Sequence, residues 1–67
     1  MIAFVAADIT RTHKAALVHR RAGYSVATVF RGSRKVQYAK AKAQGVEKIY
    51  DLDDAETVRV YPLLRGV

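Results

Sequence analysis

The chain has 67 residues, with Lys and Arg numbering 12 against 6 Asp and Glu, and no Cys. That length allows one small domain, which buries only roughly 60% of its unfolded surface. The composition, 51% hydrophobic and 27% charged, excludes disorder, and the absent Cys excludes a disulfide framework and a Cys-based metal site.

Ile2 to Ala7 (IAFVAA) is a nearly continuous apolar run. Without polar alternation it predicts a strand covered on both faces. It is far short of the about 18 apolar residues of a membrane span, and it lacks the basic start of a signal peptide. The expected location is therefore the cytoplasm. Asp8, Thr10 and Thr12 follow, each able to cap a helix by accepting backbone N–H bonds. A helix is predicted over about Thr12 to Ala22. Ala15, Leu17, Val18 and Ala22 are its apolar positions, and Lys14, Arg20 and Arg21 project elsewhere. Gly23 stands just past its end, where a positive φ is tolerated.

Tyr24 to Phe30 (YSVATVF) is rich in β-branched and aromatic residues and predicts a second strand. Arg31-Gly32-Ser33 reads as a turn. Ser33 would cap a second helix over Arg34 to Gln44, with Val36, Ala39 and Ala43 as its apolar stripe and Val46 extending it. Gly45 would close it, and Lys35, Lys40 and Lys42 would face solvent. Glu47 to Tyr50 (EKIY) is a short third strand. Asp51 to Glu56 is an acidic turn with room for a short helical turn. Thr57 to Tyr61 (TVRVY) alternates and predicts a half-exposed edge strand that Pro62 ends. The tail, Leu63 to Val67, is apolar.

The expected fold is a small α/β domain spanning residues 1–67. It has a mostly parallel sheet of order β-α-β-α-β, a final strand, two helices and right-handed crossovers. Two helices hardly cover both faces of such a sheet. Val58, Val60, Leu63 and Leu64 are therefore the candidate dimer surface, the alternative being that the tail folds back on its own sheet.

From Met1 to about Val58 the chain resembles the first half of a Rossmann-type dinucleotide-binding domain, as in atypical short-chain dehydrogenases/reductases. The matching pieces are IAFVAA, HRRAG followed by YSVATVFR, the turn RGSRK, and AKAQGVEKIYDLDD. The resemblance implies a nucleotide phosphate near Arg31, Ser33 and Arg34, where the family often has a basic residue, and an adenine near Asp51 and Asp53. The family's Gly-rich turn, whose glycines let backbone approach the pyrophosphate, is lost. Its glycine positions fall at Ala6, Ile9 and Thr12, and Asp8 brings a negative charge to the phosphate position. The half of the fold with the family's catalytic Tyr and Lys is not in this sequence.

Charge is unevenly spread. Residues 1–46 hold Arg11, Lys14, Arg20, Arg21, Arg31, Arg34, Lys35, Lys40 and Lys42 against Asp8 alone, a net +8; residues 47–67 carry −2. Those basic residues, with Tyr38 as the exposed aromatic, are the candidate surface for nucleic acid or a protein partner. His13 and His19 are not spaced as an i, i+4 pair, and no Ser or Cys sits in a nucleophile motif. Asp51, Asp53 and Asp54 lack the Gly and terminal Glu of a calcium loop. No catalysis, cofactor or metal is expected. The expected function is a non-enzymatic binding protein, of the kind a virus or phage encodes to dock on a host protein, or one that pairs with itself. Nucleic-acid binding through the basic helices and a degenerate NADP or nucleotide site are the alternatives.

Overall fold

In the computed structural model, which describes residues 1–64, the first apolar run forms strand β1, Ile2–Val5. Arg65, Gly66 and Val67, the end of the predicted apolar tail, lie outside the described residues. β1 pairs in parallel with β2, Lys48–Asp51, with Ile2 opposite Lys48 and Val5 opposite Asp51. On its other side Ile2 donates its N–H to Ser25 at 2.9 Å and accepts from the Ala27 N–H at 2.8 Å, a single parallel bridge at Val26. The fold is thus a small α/β fold on a two-stranded parallel sheet, with β1 central.

The predicted strand over 24–30 is reduced to that bridge. Val26 and Val29 pack on one side of the sheet, Ala27 and Phe30 on the other. A spacing of three residues per side is incompatible with strand alternation, so the chain turns at the exposed Thr28 despite its β-branched composition.

Helix α1, Ile9–Arg21, starts earlier than predicted because Asp8 is the cap, accepting the Thr10 N–H at 2.9 Å. Helix α2, Arg34–Ala43, begins on Ser33, whose hydroxyl accepts the Val36 N–H at 3.3 Å. Gly23 and Gly45 take positive φ of 98° and 72° after these helices. The predicted edge strand at Thr57–Tyr61 is instead helical: α3, Ala55–Val60, with a 3₁₀ turn at Pro62–Leu64. Asp54 accepts the Glu56 N–H at 3.0 Å and the Thr57 hydroxyl, and Glu56 pairs with Arg59 three residues on. These local bonds outweigh the strand preference of Val58 and Val60.

Phe4 and Ala6 of β1 pack with Ala15 and Ala16 of α1, and with Leu52 and Leu64; Ala3 packs with Ala27 and Ala41 of α2. Since successive strand residues point to opposite faces, α1 and α2 cover opposite faces of the sheet. The tail folds back. Leu64 is 2% exposed and Val58 packs against the core, so neither belongs to a surface patch; Val60 and Leu63 stay exposed. The buried helix faces also differ from those predicted. In α1 they are Thr12, Ala15, Ala16 and His19, with Leu17 exposed; in α2 they are Gln37 and Ala41, with Val36, Ala39 and Ala43 exposed. Gln37 holds its place because it satisfies backbone groups of Ala6 and Gly32 that an apolar side chain cannot.

Candidate functional site

The chain leaves the carboxyl ends of the neighbouring strands β1 and β2 into α1 and the segment of α3 and the 3₁₀ turn, which both pack on the Phe4 face of the sheet. In open α/β sheets ligands bind in the crevice outside the carboxyl ends of the strands. Here the residues around it bond to one another. The Ala6 N–H donates to Gln37 Oε1 at 3.1 Å, and Gln37 Nε2 donates to Ala6 O at 2.7 Å and Gly32 O at 2.9 Å. The Ala7 N–H donates to Asp53 Oδ2 at 2.8 Å. Arg11 clamps the same carboxylate, donating to Asp53 Oδ1 at 2.8 Å and to Leu52 O at 2.9 Å.

Asp51 is the buried hub. It accepts from the Arg34 guanidinium, from the Tyr38 hydroxyl at 3.2 Å and from the Asp53 N–H at 2.9 Å. Arg34 Nε also lies 3.8 Å from Asp53. The hydrogen bond to Asp51 and its charge raise the Arg34 pKa above the ordinary value. Burial first, and then the Asp51 charge, push the Tyr38 phenol up. Chemically the arrangement is a clamp of ion pairs joining α1, α2 and β2. The backbone N–H groups of Ala6 and Ala7, next to the lost Gly-rich turn, are already spent on side chains.

The residues predicted as a phosphate site are therefore divided. Ser33 caps α2, Arg34 is committed to the carboxylates, and Arg31 stays exposed. Asp51 and Asp53, expected near an adenine, hold Arg34 and Arg11 instead.

Comparison with protein-family models, curated proteins and solved structures found no match. No helix among the described residues is long and apolar enough to cross a membrane, and they hold no metal-binding cluster of His, Asp or Glu.

The predicted basic surface is not one patch. Lys14, Arg20 and Arg21 belong to α1, and Lys35, Lys40 and Lys42 to α2, so the sheet separates them. Arg20 donates to the carbonyls of Val26 and Ala27, and Lys40 to Arg31 O. Arg11 and Arg34 leave the surface charge for the clamp. Tyr38 is half-buried with its hydroxyl on Asp51, so it is not the exposed aromatic; Tyr24, 44% exposed, is.

All six Asp and Glu side chains are engaged within the chain. Asp8 and Asp54 cap helices, Asp51 and Asp53 hold Arg34 and Arg11, Glu56 pairs with Arg59, and Glu47 lies 3.5 Å from the amino terminus. Among the described residues Lys14, Arg21, Arg31, Lys35 and Lys42 have no carboxylate within ion-pair distance.

Sequence reasoning missed Gln37 and His19. His19 is fully buried; its Nδ1–H donates to Ala15 O at 2.7 Å, while Nε2 has no partner. Its ring lies 4.5 Å from Phe4 and 5.5 Å from both Tyr24 and Tyr61. Its signal was spacing: Thr12, Ala15, Ala16 and His19 form an i, i+3, i+4, i+7 series.

Proposed function

We propose that the chain is a non-enzymatic binding module that takes nucleic acid on the outer face of α2 and the turn before it. The observation that carries this reading is the commitment of every Asp and Glu side chain to partners in the chain while Arg31, Lys35 and Lys42 have no carboxylate within ion-pair distance among the described residues. Lys40 belongs to the same surface, since its ammonium reaches the Arg31 carbonyl at 3.4 Å. Lys35 and Lys42 are two helical turns apart, about 10 Å along the axis. Such a row neutralises phosphates by charge and releases counterions, without reading bases. The exposed ring of Tyr24 contacts His19 on the α1 side, away from this face, so base stacking plays no part here. Docking on a host protein would use exposed apolar residues on other elements, such as Leu17 of α1, Val60 of α3 and Leu63, rather than this basic face.

The test is fluorescence anisotropy with a labelled random duplex. Binding should weaken steeply between roughly 50 and 200 mM salt. The variant Lys35→Glu with Lys42→Glu should lower the slope of log affinity against log salt by about 2. The pair Lys14→Glu and Arg21→Glu, on the opposite face, should leave binding within about twofold. No binding at low salt, or equal losses in both variants, overturns the reading.

A further inference from the structure

Among the described residues β2 has a neighbouring strand on one side only. The bonding pattern says which of its groups point away. Ile2 spends its N–H and C=O on Ser25 and Ala27, so Ala3 and Val5 turn theirs towards β2. Ala3 lies opposite Ile49, so the answering groups belong to Lys48, Tyr50 and Leu52, and the Leu52 N–H indeed donates to Val5 O at 2.9 Å. The Ile49 N–H and C=O and the Asp51 N–H therefore face outward, with no strand beside them among the described residues.

We propose that a second copy of this chain covers this edge, with the two β2 strands antiparallel about a two-fold axis at Ile49. This register makes Ile49 donate to and accept from its own counterpart. Lys48 then lies opposite Tyr50 of the second copy in the non-hydrogen-bonded pair, where side chains come closest. Lys48 already sits 5.4 Å from the centre of its own Tyr50 ring, on the same side of the strand, so the pairing adds a cation–π contact in each direction. On the α2 side Glu47, its side chain 83% exposed, comes opposite Asp51 of the second copy. That Asp51 carries the half-exposed Arg34, so Glu47 meets a guanidinium.

Each contact occurs twice, as a two-fold interface requires. In a chain of net charge +6 this edge brings Glu47 of one copy to the Arg34 guanidinium of the other, an opposite-charge contact. The pairing also relieves the marginal stability of a two-stranded sheet by extending it across both copies. Because the axis stands perpendicular to the sheet, both α2 helices fall on one side. The dimer stands on the β2 edge alone and does not need the nucleic-acid reading; if both hold, the two basic rows act together.

The experiment measures solution mass by sedimentation equilibrium from micromolar to millimolar chain, with residue-resolved amide exchange on the same samples. The expected result is a monomer–dimer equilibrium in which the Ile49 amide exchanges more slowly as concentration rises. Ile49→Pro removes the outward N–H without breaking the β1–β2 ladder, at the cost of a side chain packed beside Ala3 and Ala41, and should give a monomer whose helical circular dichroism is retained. The surface variant Glu47→Lys with Lys48→Glu should weaken the dimer about tenfold. If the proline variant does not fold, exchange in the unaltered chain decides. A monomer at every concentration, or a dimer whose Ile49 amide exchanges at the monomer rate, overturns the proposal.

Discussion

Gln37 grips both sides of the Ala6 backbone, accepting its N–H at 3.1 Å and donating to its C=O at 2.7 Å. Both partners are fully buried. A side-chain amide is the group that can do this, because it carries an acceptor and two donors in one plane. The second donor bond, to Gly32 O, ties the α2 entry turn to the end of β1.

Removing the amide should therefore be costly. Gln37→Leu keeps the volume but strands a buried N–H and C=O, for an expected loss of about 3 kcal/mol. Gln37→Glu keeps the acceptor for the Ala6 N–H but turns a buried carboxylate oxygen on the Ala6 and Gly32 carbonyls, and should cost at least as much as the Leu variant. Urea midpoints measured at unchanged slope are the check. A Leu variant as stable as the parent would mean that water replaces the amide.

Gln37 also marks where the sequence stopped being legible. Caps announce themselves locally, so Ser33 and the two helix-closing glycines were readable, and so was the alternation of strand and helix. The face that a helix buries depends on what lies across from it. Val36, Ala39 and Ala43 looked like a core stripe, yet the peptide at Ala6 needed an amide and turned Gln37 inward. Thr57 to Tyr61 failed for the opposite reason: a strand-like pattern lost to a nearby cap at Asp54. At the candidate site, Arg34 and Asp51 were each picked out, but 17 residues separate them and nothing in either neighbourhood announced the pair.

His19 gives a contrasting case. Its Nε2 is buried among aromatic rings without a partner, and its Nδ1 bond goes to a carbonyl of its own helix. The imidazole therefore contributes packing rather than essential hydrogen bonding. His19→Leu should match or exceed parental stability, whereas His19→Ala should lose about 2–4 kcal/mol through the cavity it leaves. Chemical denaturation of both variants is the measurement. Equal losses in the two would show that Nε2 is satisfied by a bound water.

The Arg34–Asp51 pair should behave as a coupled unit. Arg34→Met leaves a buried carboxylate without its counter-charge and should destabilise the fold. Asp51→Asn keeps the shape but weakens the bond to Arg34. Combining the two should cost less than the sum of the single losses, because neither change then orphans a charge. A double-mutant cycle on urea midpoints reads this directly, and strict additivity would mean that solvent already screens the pair.

Tyr61 predicts how the fold responds to alkali. Its ring stacks on Tyr50 at 4.8 Å, and burial, helped by Tyr24 and Tyr50, pushes its phenol from the ordinary 10.0 up to about 12. Burial favours the neutral form, so the folded state resists deprotonation more than the unfolded chain does. The stabilisation is complete below about pH 10 and is lost as the pH rises towards 12, the sign fixed by the unfolded chain giving up its proton first. In an alkaline titration followed by phenolate absorbance, one late step should therefore coincide with loss of structure. Tyr61→Phe should abolish that step and flatten the decline in stability, leaving the smaller contribution of Tyr38, whose phenol is also raised. If the variant loses stability over the same range as steeply as the parent, the alkaline transition belongs to another group.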